Sequence, residues 1–357
     1  MKLRHIQKKD LAHYLHSAEY KNTPVVPITE QRVRSQSLNP RAEPEDVVLI
    51  VAEGEKGKVL AFIGLLPDYL FLPEKKKIWW ISCWWSNPLE GKTLGAPLLL
   101  AAYQVSQGCL LADASPDVLH FYFKSKLFYT PEAKPGIKLF FKPLLKNVLL
   151  RKIPSLKFIS PLMALSDWLI SIFYFPFYWA NSLFFSLPSN LKVQEIEVAN
   201  WPLPEKNNLF QRDKDVLTWI VAFPWIIART KNQGERPYPF SSSAKRFRNH
   251  IYTVKENKVE IAHLFLTERD GVFKLPYLHL VHGKEMVVCK VLVHLLCQKG
   301  ASEFTTFHEG LTETFKKMKL PFMYRHATSY QYVWGKELGE NLNVNQFQDG
   351  DGDAIFT

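Results

Sequence analysis

Apolar residues in the first 130 positions follow two patterns, and each pattern predicts a different kind of element. Runs rich in branched and aromatic side chains predict strands at residues 46–72, with a hairpin turn at Gly54–Gly57, and at residues 76–85. Apolar positions spaced by three and four residues predict helices at residues 1–20, 97–107 and 117–128. The order is helix, antiparallel strands, loop, helix, short strand and helix, which is typical of an α+β domain whose sheet is covered by helices.

The second half of the chain repeats this order. Strands are predicted across residues 250–281, with hairpin turns near Asn257 and at Asp270-Gly271, and a helix follows at residues 285–300. We interpret the repeat as a diverged internal duplication of a mixed sheet flanked by helices. The predicted organisation is a first domain at 1–133, a hydrophobic helical connector at 134–190, a second domain at 191–340 and a solvated tail at 341–357.

The predicted connector differs in composition from the rest of the chain. Its first part is basic, and Lys138, Lys142 and Lys146 would share one face of a helix. Residues 161–187 carry one charge, Asp167, and approach the length of a membrane span. Three interpretations stay open: a single span, a segment buried between two domains, and a basic amphipathic segment on an anionic membrane surface.

Length and charge narrow the class of protein. The chain has 357 residues, enough for two domains, and its net charge of +11 favours an anionic partner: nucleic acid, an anionic membrane surface or a phosphorylated ligand. The four cysteines are scattered without metal-ligand spacing, so we expect reduced core residues and no metal site. No apolar signal segment opens the sequence, which favours a cytoplasmic location.

Residues 86–96, SNPLEGKTLGA, contain the Gly-Lys-Thr that ends a nucleotide-binding P-loop. Ser86 replaces the first glycine of that motif, and Pro88 removes a backbone N–H, so a nucleotide hydrolase is disfavoured. The stretch still joins a predicted strand to a predicted helix, and the first N–H groups of a helix are free to bind a phosphate.

This arrangement resembles the pyrophosphate loop of the GCN5-related N-acetyltransferase superfamily. The family pattern is Arg or Gln, two residues, Gly, one residue, then Gly or Ala before a Leu-rich helix, and Glu90 to Gly95 occupy that frame. The resemblance implies two acyl-coenzyme A N-acyltransferase-like domains, with acetyl-coenzyme A or another acyl-coenzyme A as cofactor. The residues implied to bind it are Ser82, Trp84, Trp85, Gly91, Lys92, Thr93, Leu94, Gly95 and Ala96. Glu90 replaces the family's Arg or Gln and Thr93 replaces its first Gly, which leaves open whether the loop holds a pyrophosphate.

The next strand and helix also resemble the family, which usually ends them with a Tyr-x-Lys phrase followed by Gly-Phe. Tyr122 and Lys124 match the phrase, and Phe128 follows without the Gly. In the family that tyrosine often protonates the departing coenzyme A thiolate, which implies a general-acid role for Tyr122. Candidate bases for the amine acceptor are Asp113, His120 and Asp68, which lie in or beside predicted strand ends.

Trp84-Trp85 before Asn87-Pro88 resembles a tandem subgroup found in bacterial cell-surface polysaccharide gene neighbourhoods. The resemblance implies N-acyl transfer, N-acetyl transfer above all, to an amine such as an amino sugar. Lys245 and Arg246 are candidate contacts for an anionic group of the acceptor. The second half has no Gly-rich loop, so we expect it to bind no coenzyme and to close the acceptor pocket instead.

Two other function classes stay open. One is a non-catalytic binding or scaffold protein of the same fold, and the other is an aminoacyl-transferring relative that uses a charged transfer RNA. Other nucleic-acid binding is disfavoured, because no Lys or Arg lies among the aromatic residues between Ile78 and Trp85. The sequence therefore predicts a cytoplasmic acyltransferase, with residues 138–187 as a region of peripheral contact with an anionic membrane.

Overall fold

The computed structural model of the chain describes residues 2–142, 185–204, 208–228, 236–320 and 323–356, together with separate positions between 162 and 176. The chain divides into two units, each built from separate stretches of sequence. The first unit comprises Met1–Lys134, Glu197–Phe247 and Tyr330–Thr357, and the second comprises Pro135–Ile196 and Arg248–Ser329. This division differs from the contiguous domains expected at 1–133 and 191–340.

The predicted hairpin at residues 46–72 lies inside the seven-stranded sheet of the first unit. Its strands are β1 Lys2–Gln7, β2 Val47–Glu53, β3 Val59–Phe71, β4 Lys75–Ser86, β5 Leu110–Asp113, β6 Phe128–Tyr129 and, from the end of the chain, β16 Tyr332–Gly335. Their order is β1-β2-β3-β4-β5-β16-β6. The pair β4/β5 is parallel and the other neighbours are antiparallel, so the sheet is mixed.

Helices cover both faces of this sheet because its strands alternate apolar side chains to each side. Phe62 and Cys83 pack with the short helices α1 Leu11–His16, α2 Ala18–Asn22 and α3 Glu30–Ser37. Ile63 and Ile81 pack on the other face with α4 Gly95–Val105 and α5 Pro116–Ser125. A further helix, α6 Lys214–Ala222, joins α3 through a hydrogen bond from Trp219 Nε1 to the Ser35 carbonyl oxygen, at 2.8 Å.

The second unit contains a second sheet of seven strands, in the same order. Its strands are β7 Lys134–Phe140, β8 Leu191–Glu195, β11 Phe247–Glu256, β12 Val259–Arg269, β13 Val272–Leu280, β14 Glu303–Thr306 and β15 Tyr324–Tyr330. The two remaining strands, β9 Ile227–Ala228 and β10 Ser243–Ala244, form a small separate pair in the first unit. The order is β8-β11-β12-β13-β14-β7-β15, with β13 and β14 parallel. Helices α7 Glu285–Gln298 and α8 Glu309–Lys317 follow β13 and β14, as α4 and α5 follow β4 and β5. The predicted class, two mixed sheets flanked by helices, is confirmed.

Each sheet contains one strand that comes from the other half of the sequence. The sheet of the first unit takes β16, residues 332–335, between β5 and β6, and the sheet of the second unit takes β7 beside β14. The units are discontinuous for this reason, since each sheet is complete only with a strand distant in sequence.

Two of the helices predicted from the sequence are wrong, because strands form at those positions. The first part of residues 1–20 is strand β1, which pairs antiparallel with β2 and buries Ile6. The basic stretch that begins at Lys138 continues strand β7, in which Ile137 and Leu139 are buried, and Phe141, directly after the strand, is buried in the same alternation. This period of two outweighs the helical spacing of the lysines. Lys138 pairs with Glu303 at 3.0 Å.

The connector and its alternatives fall mostly outside the described residues, Lys146 included. In the described part of the chain, no helix combines the length and the apolar character that crossing a membrane requires.

The expectation of a solvated tail at 341–357 is wrong. Phe347 and Phe356 are 2% and 1% exposed, and they belong to the core of the first unit. Asp351 is buried and accepts hydrogen bonds from the Arg212 guanidinium at 3.0 and 3.1 Å, and Arg212 also donates to Asp68 at 2.7 Å. Asp68, considered as a base, is therefore one carboxylate of a buried ion network.

Candidate active site

The first sheet opens where its two parallel strands part. β4 and β5 pair only at Trp79–Leu110 and Trp80–Leu111, although β4 continues to Ser86. Beyond Trp80, β4 pairs with β3 on one side, and no described strand pairs with its other edge. The parting leaves backbone groups of residues 81–86 available along an opening between β4 and β5.

A bulge in β4 lies at this opening. Gly64 of β3 faces Cys83 and Leu65 faces Ile81, so Ser82 is an extra residue on β4. A side chain at Gly64 would lie 2.5 Å from Cys83 Sγ, which explains the glycine inside an apolar strand. Arg32 Nη1 donates a hydrogen bond to the Ser82 carbonyl oxygen at 3.3 Å. Neither Gly64 nor Arg32 was identified from the sequence, although a glycine within a strand is a general signal for a bulge.

The loop that follows β4 is organised by Asn87. Its backbone N–H donates to the Leu60 carbonyl oxygen at 2.8 Å, and its Oδ1 accepts from the N–H groups of Leu89 and Glu90. Gly91 N–H donates to the Asn87 carbonyl oxygen at 2.9 Å. A Cβ at Gly91 would lie 2.3 Å from the Leu60 carbonyl oxygen, so only glycine fits this approach.

Four amides in the rest of the loop have no acceptor. In the described part of the chain, the N–H groups of Lys92, Thr93, Gly95 and Ala96 donate no hydrogen bond. Helix α4 begins at Gly95 without a side-chain cap. Such N–H groups carry the positive end of the helix dipole and form a site for an anion.

Two local features describe how Glu90 and Thr93 are accommodated in the loop. The Glu90 carboxylate pairs with Lys58 Nζ at 2.5 Å, and both side chains are about half exposed. Thr93 lies outside the left-handed region, as do the other residues of 87–96, so its β-branched side chain causes no strain. Lys92 is exposed beside the free amides.

The two adjacent tryptophans face opposite sides of the sheet. Trp84 contacts the ring of Tyr122 at 6.0 Å between centroids, and it is the side chain closest to Gly95. Trp85 packs on Phe62, at 5.4 Å, in the core under the N-terminal helices. The structure therefore brings Trp84, Tyr122 and the start of α4 together and places Trp85 elsewhere.

The other two candidate residues of the loop also differ in their surroundings, since one is buried and one is exposed. Leu94 is a core residue at 8% exposure, and Ala96 is exposed at the start of α4.

Tyr122 is a buried residue of α5, 1% exposed, between Trp84 and Phe128. Its hydroxyl donates no hydrogen bond to any residue that the structure describes. Burial and, to a smaller extent, the charge of Asp113 raise the pKa of Tyr122 above its ordinary value. The hydroxyl therefore keeps its proton at neutral pH and can act only as an acid.

The two candidate bases have different surroundings. Asp113 ends β5, is exposed, and accepts a hydrogen bond from the Tyr330 hydroxyl at 2.8 Å. Burial, followed by the charge of Asp113, raises the pKa of Tyr330, so that hydroxyl also stays protonated. His120 lies on the exposed side of α5 against Phe121, with 4.0 Å between ring centroids.

The candidate acceptor contacts, Lys245 and Arg246, lie exposed between β10 and β11. No hydrogen bond or ion pair of the described residues joins Lys245 to the loop at 87–96. In the described ranges, no group of three His, Cys, Asp or Glu side chains is arranged to hold a metal ion.

The corresponding loop of the second unit is built differently. β13 and β14 pair at Val272–Lys274, and β13 continues to Leu280 before α7 begins. Here the Glu285 carboxylate accepts the Gly283 N–H at 3.3 Å, which places a negative charge at the start of α7.

No protein-family model matches the sequence, and no curated protein matches it. A GCN5-related N-acetyltransferase from Anabaena variabilis is 9% identical with a TM-score of 0.47, over 93% of this chain and 72% of that chain. A GCN5-related N-acetyltransferase from Kribbella flavida is 9% identical with a TM-score of 0.45, over 93% and 71%. A conserved protein of unknown function from Enterococcus faecalis, described as a probable N-acyltransferase, is 8% identical with a TM-score of 0.49, over 94% and 73%. At TM-scores this low the likeness assigns no family.

Proposed function

We propose that the protein is an acyl-coenzyme A-dependent N-acyltransferase whose first unit holds the acyl donor. The observation that carries the proposal is the parting of β4 from β5 directly before a loop with free amides. A ligand with an extended amide-containing arm fits an unpaired strand edge, because backbone groups there can hydrogen-bond along it. A pyrophosphate fits the N–H groups at 92–96. An acyl-coenzyme A has both parts.

Acyl-coenzyme A supplies a thioester, whose sulfur is the leaving group when an amine attacks the acyl carbon. The chain contributes mainly position, which is worth much of the barrier in such a transfer. The bulge at Ser82 turns the backbone of β4 at the opening, and Arg32 and Gly64 fix that bulge.

Tyr122 is the residue suited to donate a proton to a departing thiolate. Its raised pKa keeps the hydroxyl protonated, and the hydroxyl has no acceptor among the described residues. Trp84 packs against both Tyr122 and the start of α4, so it links the acid to the pyrophosphate loop.

Asp113 is the better-placed candidate to take the amine proton. It lies at the end of β5, the strand that borders the opening, and one of its carboxylate oxygens accepts a hydrogen bond from the Tyr330 hydroxyl. His120 is the second candidate, on the exposed side of α5.

The acceptor that we propose is an amino sugar on an anionic nucleotide or lipid carrier, as in surface polysaccharide synthesis. The net charge of +11 and the exposed Lys245 and Arg246 support an anionic acceptor. We place the protein in the cytoplasm, with peripheral contact to an anionic membrane through residues 138–187.

Thermal unfolding with and without acetyl-coenzyme A tests the proposal. A ligand that binds the native state raises the melting temperature by mass action, so we expect a rise that grows with cofactor concentration. No rise at millimolar acetyl-coenzyme A would overturn the proposal.

Thiol release with a panel of amino sugars then separates catalysis from binding. Binding without thiol release on any acceptor would favour the non-catalytic class, and activity lost on nuclease treatment would favour the aminoacyl-transferring class.

A further inference from the structure

The second unit contains a cavity of about 600 Å³ that the acyl transfer does not use. It lies between helix α7, the end of helix α8 and the segment at residues 185–191, and we call it the α7 groove. The volume is in the range of pockets that hold small ligands.

The floor of the α7 groove is apolar. Six side chains supply it: Phe185, Leu187, Leu191, Met286, Val287 and Met318. Leu187 and Val287 pack against the core of the unit, whereas Met286 is 44% exposed. Phe185, Leu191 and Met318 are already buried, at 4%, 9% and 6% exposure, so a ligand would gain free energy mainly by removing Met286, Leu187 and Val287 from water.

The rim of the α7 groove is positive. Lys290, Lys317 and Lys319 are exposed, and none of them lies within ion-pair distance of a carboxylate in the described part of the chain. The acidic residue among the described lining, Glu256, is already paired with Lys284 at 2.7 Å.

The neighbouring acid and base are also paired with each other. Glu313 of α8 pairs with Lys316 at 2.7 Å, and Lys317 is beyond ion-pair distance of Glu313, although its charge helps to lower the pKa of that carboxyl. The rim is thus complementary to an anion, directly beside an apolar floor.

We propose that the α7 groove binds a single acyl chain that ends in an anionic head group. The chain covers the apolar floor, and the head group contacts the three lysines of the rim. Neither part is sufficient by itself, since exposed lysines hold an isolated anion weakly and the floor does not discriminate among apolar molecules. The site is independent of the acyl donor, which the first unit holds.

Isothermal titration of the full-length protein with dodecyl phosphate, kept below its critical micelle concentration, tests this proposal. We expect saturable binding, with dodecyl maltoside bound at least ten-fold more weakly and inorganic phosphate not detectably bound. Equal binding of the neutral-headed probe would overturn the proposal, because the lysines would then have no role.

Variants separate this site from general detergent binding. The triple variant Lys290→Glu, Lys317→Glu, Lys319→Glu should bind dodecyl phosphate roughly a hundred-fold more weakly, since each lysine near an anionic surface contributes about a factor of five. The matched control changes three exposed lysines of the first unit in the same way: Lys2, Lys124 and Lys214. An unchanged affinity in the first variant, or an equal loss in the control, would overturn the assignment.

A second experiment distinguishes a free single-chain ligand from the lipids of a membrane surface. Val287→Trp should block the floor and abolish binding of free dodecyl phosphate, with the melting temperature reported beside it to show that the variant folds. The proposal is wrong if phosphatidylglycerol vesicles bind through the rim lysines while monomeric dodecyl phosphate does not bind. In that case the groove holds no single acyl chain.

Discussion

The guanidinium of Arg32 donates a hydrogen bond from Nη1 to the carbonyl oxygen of Ser82, 3.3 Å away, and so joins helix α3 to the bulge of β4. Arg32 is 3% exposed and stacks over Trp225 at 4.1 Å and over Tyr238 at 5.4 Å. No carboxylate of the described residues forms an ion pair with it. A buried cation is thus held by two aromatic rings and by the Ser82 carbonyl group of the bulge.

Arg32→Met should lower the turnover number about ten-fold or more and change the KM for acetyl-coenzyme A little. The reason is that Met keeps the apolar packing on Trp225 but gives the Ser82 carbonyl no donor. We expect stability within about 1 kcal/mol of the parent, because removing an unpaired buried charge offsets the lost contacts. Arg32→Lys should recover part of the turnover, and full activity of Arg32→Met would contradict a positioning role.

Ala96→Pro should weaken the binding of acetyl-coenzyme A about ten-fold. Proline removes one of the four free amides, and a hydrogen bond to a charged group is worth roughly 1.5–3 kcal/mol. The first turn of a helix tolerates proline, so the fold should persist. Ala96→Ser keeps the N–H and is the matched control. Titration calorimetry measures both, and equal affinities would exclude the amides of α4 from the site.

Tyr122→Phe should reduce the turnover number about a hundred-fold, the usual contribution of a positioned acid. The hydroxyl has no hydrogen-bond partner among the described residues, so the melting temperature should change little. The pH profile gives a second test. Because the pKa of Tyr122 is raised, the rate of the parent enzyme should not fall through loss of this proton as the pH approaches 10, the ordinary tyrosine value.

Arg212→Met should reduce the free energy of unfolding by about 3–5 kcal/mol at pH 7, because it leaves Asp351 buried without its cation, whereas Asp68 keeps the buried Arg41 at 3.8 Å. Urea unfolding monitored by tryptophan fluorescence measures the loss. Adding Asp351→Asn to Arg212→Met should recover part of it, since one uncompensated charge is removed. A loss below about 1 kcal/mol in the single variant would contradict the role assigned to the network.

Asp351 should make the fold more stable in mild acid. Burial raises its pKa to about 6, in spite of Arg212, which acts in the opposite direction. The unfolded value is about 4, so the folded state holds the proton more tightly, and the contribution is full below pH 4 and is lost as the pH rises through 6. The free energy of unfolding measured from pH 4 to 7 should fall less in Asp351→Asn than in the parent. An identical slope would contradict the raised pKa.

The parts of the fold that follow from local sequence were predictable. Asn257 and Asp270-Gly271 adopt positive φ in the tight turns expected of them, and the helix expected at 285–300 is α7 Glu285–Gln298. The loop at 87–96 was identified because its glycine, its Asn87-Pro88 and the following helix lie within a few residues of one another.

The rest depends on contacts between residues far apart in the chain. Arg32 meets Ser82, Tyr330 meets Asp113, and Arg212 meets both Asp68 and Asp351, and no local pattern encodes such pairs. The spacing of the lysines from Lys138 onward predicts a helix, whereas Ile137, Leu139 and Phe141 are buried at every second position, as in a strand. The polar Asp-Gly repeat of the tail predicts a solvated segment, whereas the phenylalanines of the tail complete a core.

The position of β16 has a consequence for synthesis on the ribosome. A nascent chain that has emerged only as far as residue 133 carries β5 and β6 but lacks the strand that separates them, residues 332–335. The first sheet therefore stays incomplete until residues 332–335 have been translated, and its open edges need protection from other chains during that time. Domain-by-domain folding from the N-terminus is not available to this protein, and chaperone dependence should increase when translation is slowed before residue 332.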